Sequence, residues 1–143
     1  MRIHHVQVCC PPGGEDLARR FWSDGLGLTE VEKPEPLRAR GGCWFRSGGG
    51  GDGRVDGGGV EVHVGVEDPF RAAGKAHPAL VVGDVAALER VAARLEELGF
   101  TVDRSERATF PGHERFHCFD GQPDGTGDTG TGGRGNRVEL LAD

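Results

Sequence analysis

His5, His77 and Glu139 are the residues of this 143-residue chain whose types and placing could hold a metal ion. Imidazole nitrogens and carboxylate oxygens bind zinc, nickel, cobalt, iron and manganese. Two histidines with one carboxylate form a facial set that leaves coordination positions open for substrate. A repeat singles these three out. His5 opens an alternating stretch, His5-Val6-Gln7-Val8, and 72 positions later His77 opens another, His77-Pro78-Ala79-Leu80-Val81-Val82. Leu26-Gly27-Leu28 and Leu98-Gly99-Phe100 follow at the same offset. Near the ends of the two copies, Val60-Glu61-Val62 is answered by Val138-Glu139-Leu140. Glu61 therefore joins the set as a fourth ligand or as a base. His63 shares its strand face with Glu61 and is the alternative. His4, His113 and His117 have no repeat behind them, and the expectation for each is an ordinary hydrogen-bonded histidine.

The elements that position these residues follow from periodicity. Ile3–Cys9 alternates as a strand until Pro11-Pro12-Gly13-Gly14 breaks it. Leu17, Ala18, Phe21 and Trp22 fall at helical spacing behind the acids Glu15 and Asp16. Thr29–Lys33, Leu37–Arg40, Cys43–Arg46 and Val60–Val66 are expected to be extended. In the second copy Asp84 caps a helix striped by Val85, Leu88, Val91, Ala92, Leu95 and Leu98, and Gly99 suits its stop. Phe100–Arg104, Arg115–Phe119 and Arg137–Leu141 complete the copy. Each copy is thus β-α-β-β-β, with one apolar sheet face that it cannot bury without a partner layer. The expected fold is α+β: two tandem modules, about 1–67 and 76–143, forming one domain with an eight-stranded curved mixed sheet around a cleft. Gln7, Trp44, Phe45, Phe116 and Phe119 are the candidate cleft-lining residues where they face inward.

Composition narrows the function. A net charge of −6 without a basic block argues against nucleic acid. No apolar run is long enough for a membrane span or a signal peptide. The four cysteines form no CxxC pair and are expected to be reduced thiols of a cytoplasmic protein. Of 26 glycines, eight lie in Ser47–Gly59 and seven in Gly121–Gly135. These two stretches are expected to be mobile inserted loops, with the fold surviving deletion of Pro123–Gly133. No helix follows the first, which removes a nucleotide-cradling role.

The paired modules, Ile3-His4-His5-Val6-Gln7-Val8, Phe21-Trp22 before Leu26-Gly27-Leu28, and Gly135-Asn136-Arg137-Val138-Glu139-Leu140-Leu141 resemble the vicinal oxygen chelate superfamily. That group contains glyoxalase I, extradiol dioxygenases, fosfomycin-modifying transferases and bleomycin resistance proteins. The resemblance covers nearly the whole chain outside the glycine-rich stretches. It implies a divalent metal (Ni, Co, Zn, Fe or Mn) on His5, His77 and Glu139, with a fourth ligand near Glu61, and a homodimer. It implies a metal-dependent lyase, isomerase or dioxygenase type of enzyme for a small oxygen-chelating substrate. The alternative is a metal-free protein that sequesters a small molecule or antibiotic by aromatic stacking.

Overall fold

A computed structural model describes residues 3–48, 59–124 and 134–143. The chain divides into two compact units, Met1–Phe70 and Arg71–Asp143. The expectations for the glycine-rich stretches fall largely on residues outside the described ones.

The first unit runs β1 (Val6–Cys10), α1 (Glu15–Arg19), β2 (Thr29–Val31), α2 (Glu35–Arg38), β3 (Cys43–Arg46) and β4 (Glu61–Val66). Its sheet has the order β1-β4-β3-β2, with β1 parallel to β4 and the other pairs antiparallel. The second unit runs β5 (Ala79–Val81), α3 (Val85–Glu97), β6 (Val102–Asp103), β7 (Arg115–Phe119) and β8 (Arg137–Leu141). Its order, β5-β8-β7-β6, is the same plan, again with the first strand parallel to the last. The fold is therefore α+β, built from two β-α-β-β-β modules, and the eight strands divide four and four between two mixed sheets.

Alternation gives each sheet two chemically different faces. In the first unit Cys10, Cys43, Phe45, Val62 and Val64 are buried on one face, and Ala18, Phe21 and Trp22 of the helical segment are fully buried with them. In the second unit Phe116, Cys118, Val138 and Leu140 are the buried face, and Leu88, Ala92 and Leu95 form the buried stripe of α3. The spacing of that stripe, four then three residues, keeps it on one side of the helix. Burying a Leu or Phe side chain is worth roughly 1.5–3 kcal/mol, so these faces carry the stability of each unit. The opposite faces carry the histidines and carboxylates.

Two local outcomes differ from the sequence reading. α1 does not end at Trp22 but continues as a π-helical turn, Arg20–Gly25, in which Leu26 N–H reaches back to Phe21 O. Residues 35–38, expected within an extended stretch, form the short helix α2. Pro34 sits extended before it and Pro36 falls in its first turn, where the missing N–H has no helical partner to lose. The two prolines therefore start a turn of helix. Asp84 caps α3 as expected, its side chain accepting from Ala87 N at 2.7 Å. Cys9, Cys10, Cys43 and Cys118 are not joined in disulfides.

Candidate metal centre

In the second unit β8 and β7 set Glu139 directly across from His117, and β5 places Ala79 on the other side of Glu139. His77 lies just before β5. One donor atom from each of His77, His117 and Glu139 lies within 4.8 Å of the others. His77 Nδ1 lies 2.6 Å from Lys75 O, an acceptor, and 3.0 Å from a terminal nitrogen of Arg137, a donor. Nε2 faces Glu139 Oε2 at 3.4 Å, a gap that a proton or a cation would close. Arg137 braces the same carbonyl, donating to Lys75 O at 2.8 Å. Fixing the outer ring nitrogen on a carbonyl is the usual way a metal-binding imidazole is oriented.

Electrostatics favour the ligand forms. Burial pushes the Glu139 carboxyl up, but the bond and charge of Arg115 outweigh it, and the group is held below the ordinary carboxylate range. Burial and the positive charge of Arg137 push His117 below the ordinary imidazole value, leaving a neutral ring. An ionised carboxylate beside the neutral His117 ring, with His77 next to both, offers the donor types of a borderline divalent metal.

The first unit carries a second cluster on the equivalent face. His63 is 6% exposed and lies between two rings: Trp44 at 3.7 Å between centroids with an interplanar angle of 1°, and His5 at 4.0 Å and 16°. His63 Nε2 is 2.8 Å from Glu61 Oε1. Arg46 donates to Glu61 Oε2 through Nε at 3.0 Å and a terminal nitrogen at 2.7 Å. Burial alone would raise Glu61, yet the bonds from His63 and Arg46 hold it below its usual range. Burial, with the neighbouring His5, lowers His63. Gln7 pairs with His63 in the ladder and shares its face.

The residues expected from the sequence therefore separate into two groups, with His5, Glu61, His63, Trp44 and Gln7 on one face of the first unit. His77, Glu139 and Phe119 lie on one face of the second. Phe45 and Phe116 point the other way, into the helix-backed cores, because each is one residue out of phase with its charged neighbours. His4 is exposed and meets His5 edge-on; Val138 is fully buried on the face away from Glu139.

The ladder also corrects the repeat. Gln7 and Ala79 are 72 positions apart; Gln7 pairs with His63, and Ala79 with Glu139. His63 thus occupies the place of Glu139, and Glu61 the place of Arg137. The Val-Glu match between the copies is two residues out of register. A slip of two keeps every side chain on its face, so alternation could not reveal it. His117 was missed for a related reason. Its place across from Glu139 is visible only once β7 and β8 are in register, and the long segment between them hides that register.

A sequence model of the Glyoxalase/Bleomycin resistance protein/Dioxygenase superfamily matches residues 2–127. The chain belongs to this superfamily. A solved structure from Bacillus anthracis, assigned to the glyoxalase family, is similar over 100% of this chain and 95% of its own, with 33% identity and a TM-score of 0.70. FosX, a fosfomycin resistance protein from Listeria monocytogenes, covers 100% and 93% with a TM-score of 0.66. At 10% identity it shares the fold alone. A glyoxalase family protein from Enterococcus faecalis covers 98% and 96%, with 21% identity and a TM-score of 0.58. No curated protein matches the chain. Among the described residues no helix is long and apolar enough to cross a membrane.

Proposed function

We propose that this superfamily member is a metal-dependent enzyme, of lyase, isomerase or dioxygenase type, for a small substrate that chelates through neighbouring oxygens. The observation that carries the reading is the cluster in the second unit, His77 Nε2 and Glu139 Oε2 at 3.4 Å with His117 beside them. His77, His117 and Glu139 fit a divalent cation by donor type and spacing, at ligand distances of ~2.0–2.2 Å once bound. The sequence repeat also offers His5 as a ligand. A bound cation would supply Lewis acidity, lowering the energy of negative charge that develops on a substrate oxygen. The chain's own residues prepare for this. Arg115 holds Glu139 ionised and oriented, Lys75 O fixes the His77 ring, and Arg137 keeps that carbonyl in place.

The test is elemental analysis of protein purified without a chelating tag, followed by titration with nickel, cobalt, zinc and manganese. The expected outcome is tight binding that His77→Ala and Glu139→Gln each remove and His4→Ala does not. His5→Ala and His117→Ala then tell which of the two completes the set. Protein that stays free of metal under excess of all four ions would overturn the reading. In that case the Trp44–His63–His5 ring stack favours the second one, a metal-free binder of an aromatic or cationic small molecule. Homodimerisation, which the family resemblance suggests, is read by sedimentation.

A further inference from the structure

The two histidine–carboxylate pairs differ in a way that assigns different roles to their carboxylates. In the second unit Glu139 gives one oxygen to Arg115, while the other faces His77 Nε2 at 3.4 Å with no arginine or lysine on it among the described residues. In the first unit both oxygens of Glu61 are taken. Oε2 receives two bonds from Arg46, and Oε1 lies 2.8 Å from His63 Nε2. An ionised carboxylate oxygen can only accept, so Nε2 carries the proton and the His63 lone pair sits on Nδ1. That nitrogen has no protein partner among the described residues. A half-turn of the ring would put a carbon in place of each nitrogen and take Nε2 from Glu61. For Glu61 to ligate a metal it would have to release Arg46, whose side chain is only 27% exposed, or release His63. Leaving a desolvated charge unpaired is costly.

We propose that Glu61 is a positioning residue and not a metal ligand: anchored by Arg46, it holds His63 as the Nε2–H tautomer and leaves Nδ1 as the donor that the first unit offers to a divalent cation. The arrangement is the carboxylate–histidine–metal relay, with the carboxylate in the outer place. The donor role rests on the metal-dependent reading; the positioning role rests on the geometry alone. The register supports the assignment independently, since His63, and not Glu61, occupies the ladder place that Glu139 takes in the second unit.

Two measurements test it. The first is the His63 tautomer, by long-range 15N–1H correlation on metal-free protein at neutral pH, expected as Nε2–H in the wild type. Glu61→Leu is expected to lose that preference. An Nδ1–H tautomer in the wild type overturns the proposal without any variant having to fold. The second is cobalt titration followed by absorption. Glu61→Leu should weaken binding roughly 10–100-fold, the usual cost of losing an outer-shell partner, and His63→Ala, which removes the donor itself, should weaken it further. If Glu61→Leu costs as much affinity as His63→Ala, the carboxylate is itself a ligand and the proposal fails. Wild-type protein that binds no cobalt refutes the donor role together with the metal-dependent reading. The tautomer then decides the positioning role by itself.

Discussion

Asp120 gives a pH dependence whose sign is opposite to that of most carboxylates. It is 1% exposed, follows β7, and closes the stem of the second glycine-rich stretch. Oδ1 accepts from Gln122 N at 3.1 Å and Asn136 N at 2.8 Å, and Oδ2 from Asn136 Nδ2 at 2.7 Å. Burial outweighs these bonds and raises the carboxyl from 3.8 to about 6. A folded-state value above the unfolded one means that the folded protein binds the proton more tightly. The contribution is therefore fully present below pH 3.8 and is lost as the pH rises through about 6. The difference, at ~1.4 kcal/mol for each pH unit, amounts to about 3 kcal/mol. Glu61, Glu139, Glu96 and Asp103 are held low and contribute with the opposite sign. The quantity to measure is therefore the stability of the wild type minus that of Asp120→Asn, which is close in shape and cannot ionise. Urea unfolding between pH 3.5 and 7.5 should show this difference falling by about 2–3 kcal/mol. A difference that stays level, or that grows with pH, would show that the buried carboxylate is better solvated by its three donors than the reasoning allows.

Four further substitutions probe the scaffold. Asp84→Ala removes the side-chain acceptor of Ala87 N and should cost ~1 kcal/mol in denaturant unfolding. Gly42 and Gly13 both have positive φ, 78° and 81°, but a Cβ on Gly42 would lie 2.1 Å from Val64 O while one on Gly13 meets nothing within 4 Å. Gly13→Ala should then cost only the ~1–2 kcal/mol of left-handed backbone, and Gly42→Ala distinctly more; equal losses in thermal unfolding would refute the collision. Leu95→Ala empties a fully buried place on α3 and should destabilise by ~2–5 kcal/mol, with no change in metal affinity per folded molecule.

Much of the fold is legible because the two copies share one pattern. The Leu88–Ala92–Leu95 stripe, the Asp84 cap and the alternation of Cys43–Arg46 against Glu61–Val66 are local signals, and the structure follows them. The prolines of α2 were ambiguous, since Pro34 and Pro36 suit an extended segment as well as a helical first turn. The π-helical turn depends on which carbonyl Leu26 reaches, and no residue type announces it. Site residues were legible by type and face but not by role. His77 and Glu139 emerge from the repeat. Arg46 and Arg115, which decide what their carboxylates can do, appear only when cross-strand partners are known. His117 appears in the same way, through its pairing with Glu139.

The parallel pairing of first strand with last also sets the order in which each unit can form. Val6 pairs with Val62, and Ala79 with Glu139, so each sheet joins its first strand to its last along one edge. The antiparallel neighbours β3 with β4 and β7 with β8 can meet without β1 or β5, whereas the parallel ladders close a loop of nearly a whole unit. High contact order of this kind slows folding relative to helical proteins of the same length. During synthesis β1 must wait, unpaired, until β4 emerges, and β5 must wait for β8. A nascent chain stopped short of Glu61 would thus hold Val6–Cys10 as an exposed strand edge, the form of chain most prone to pair with a stranger.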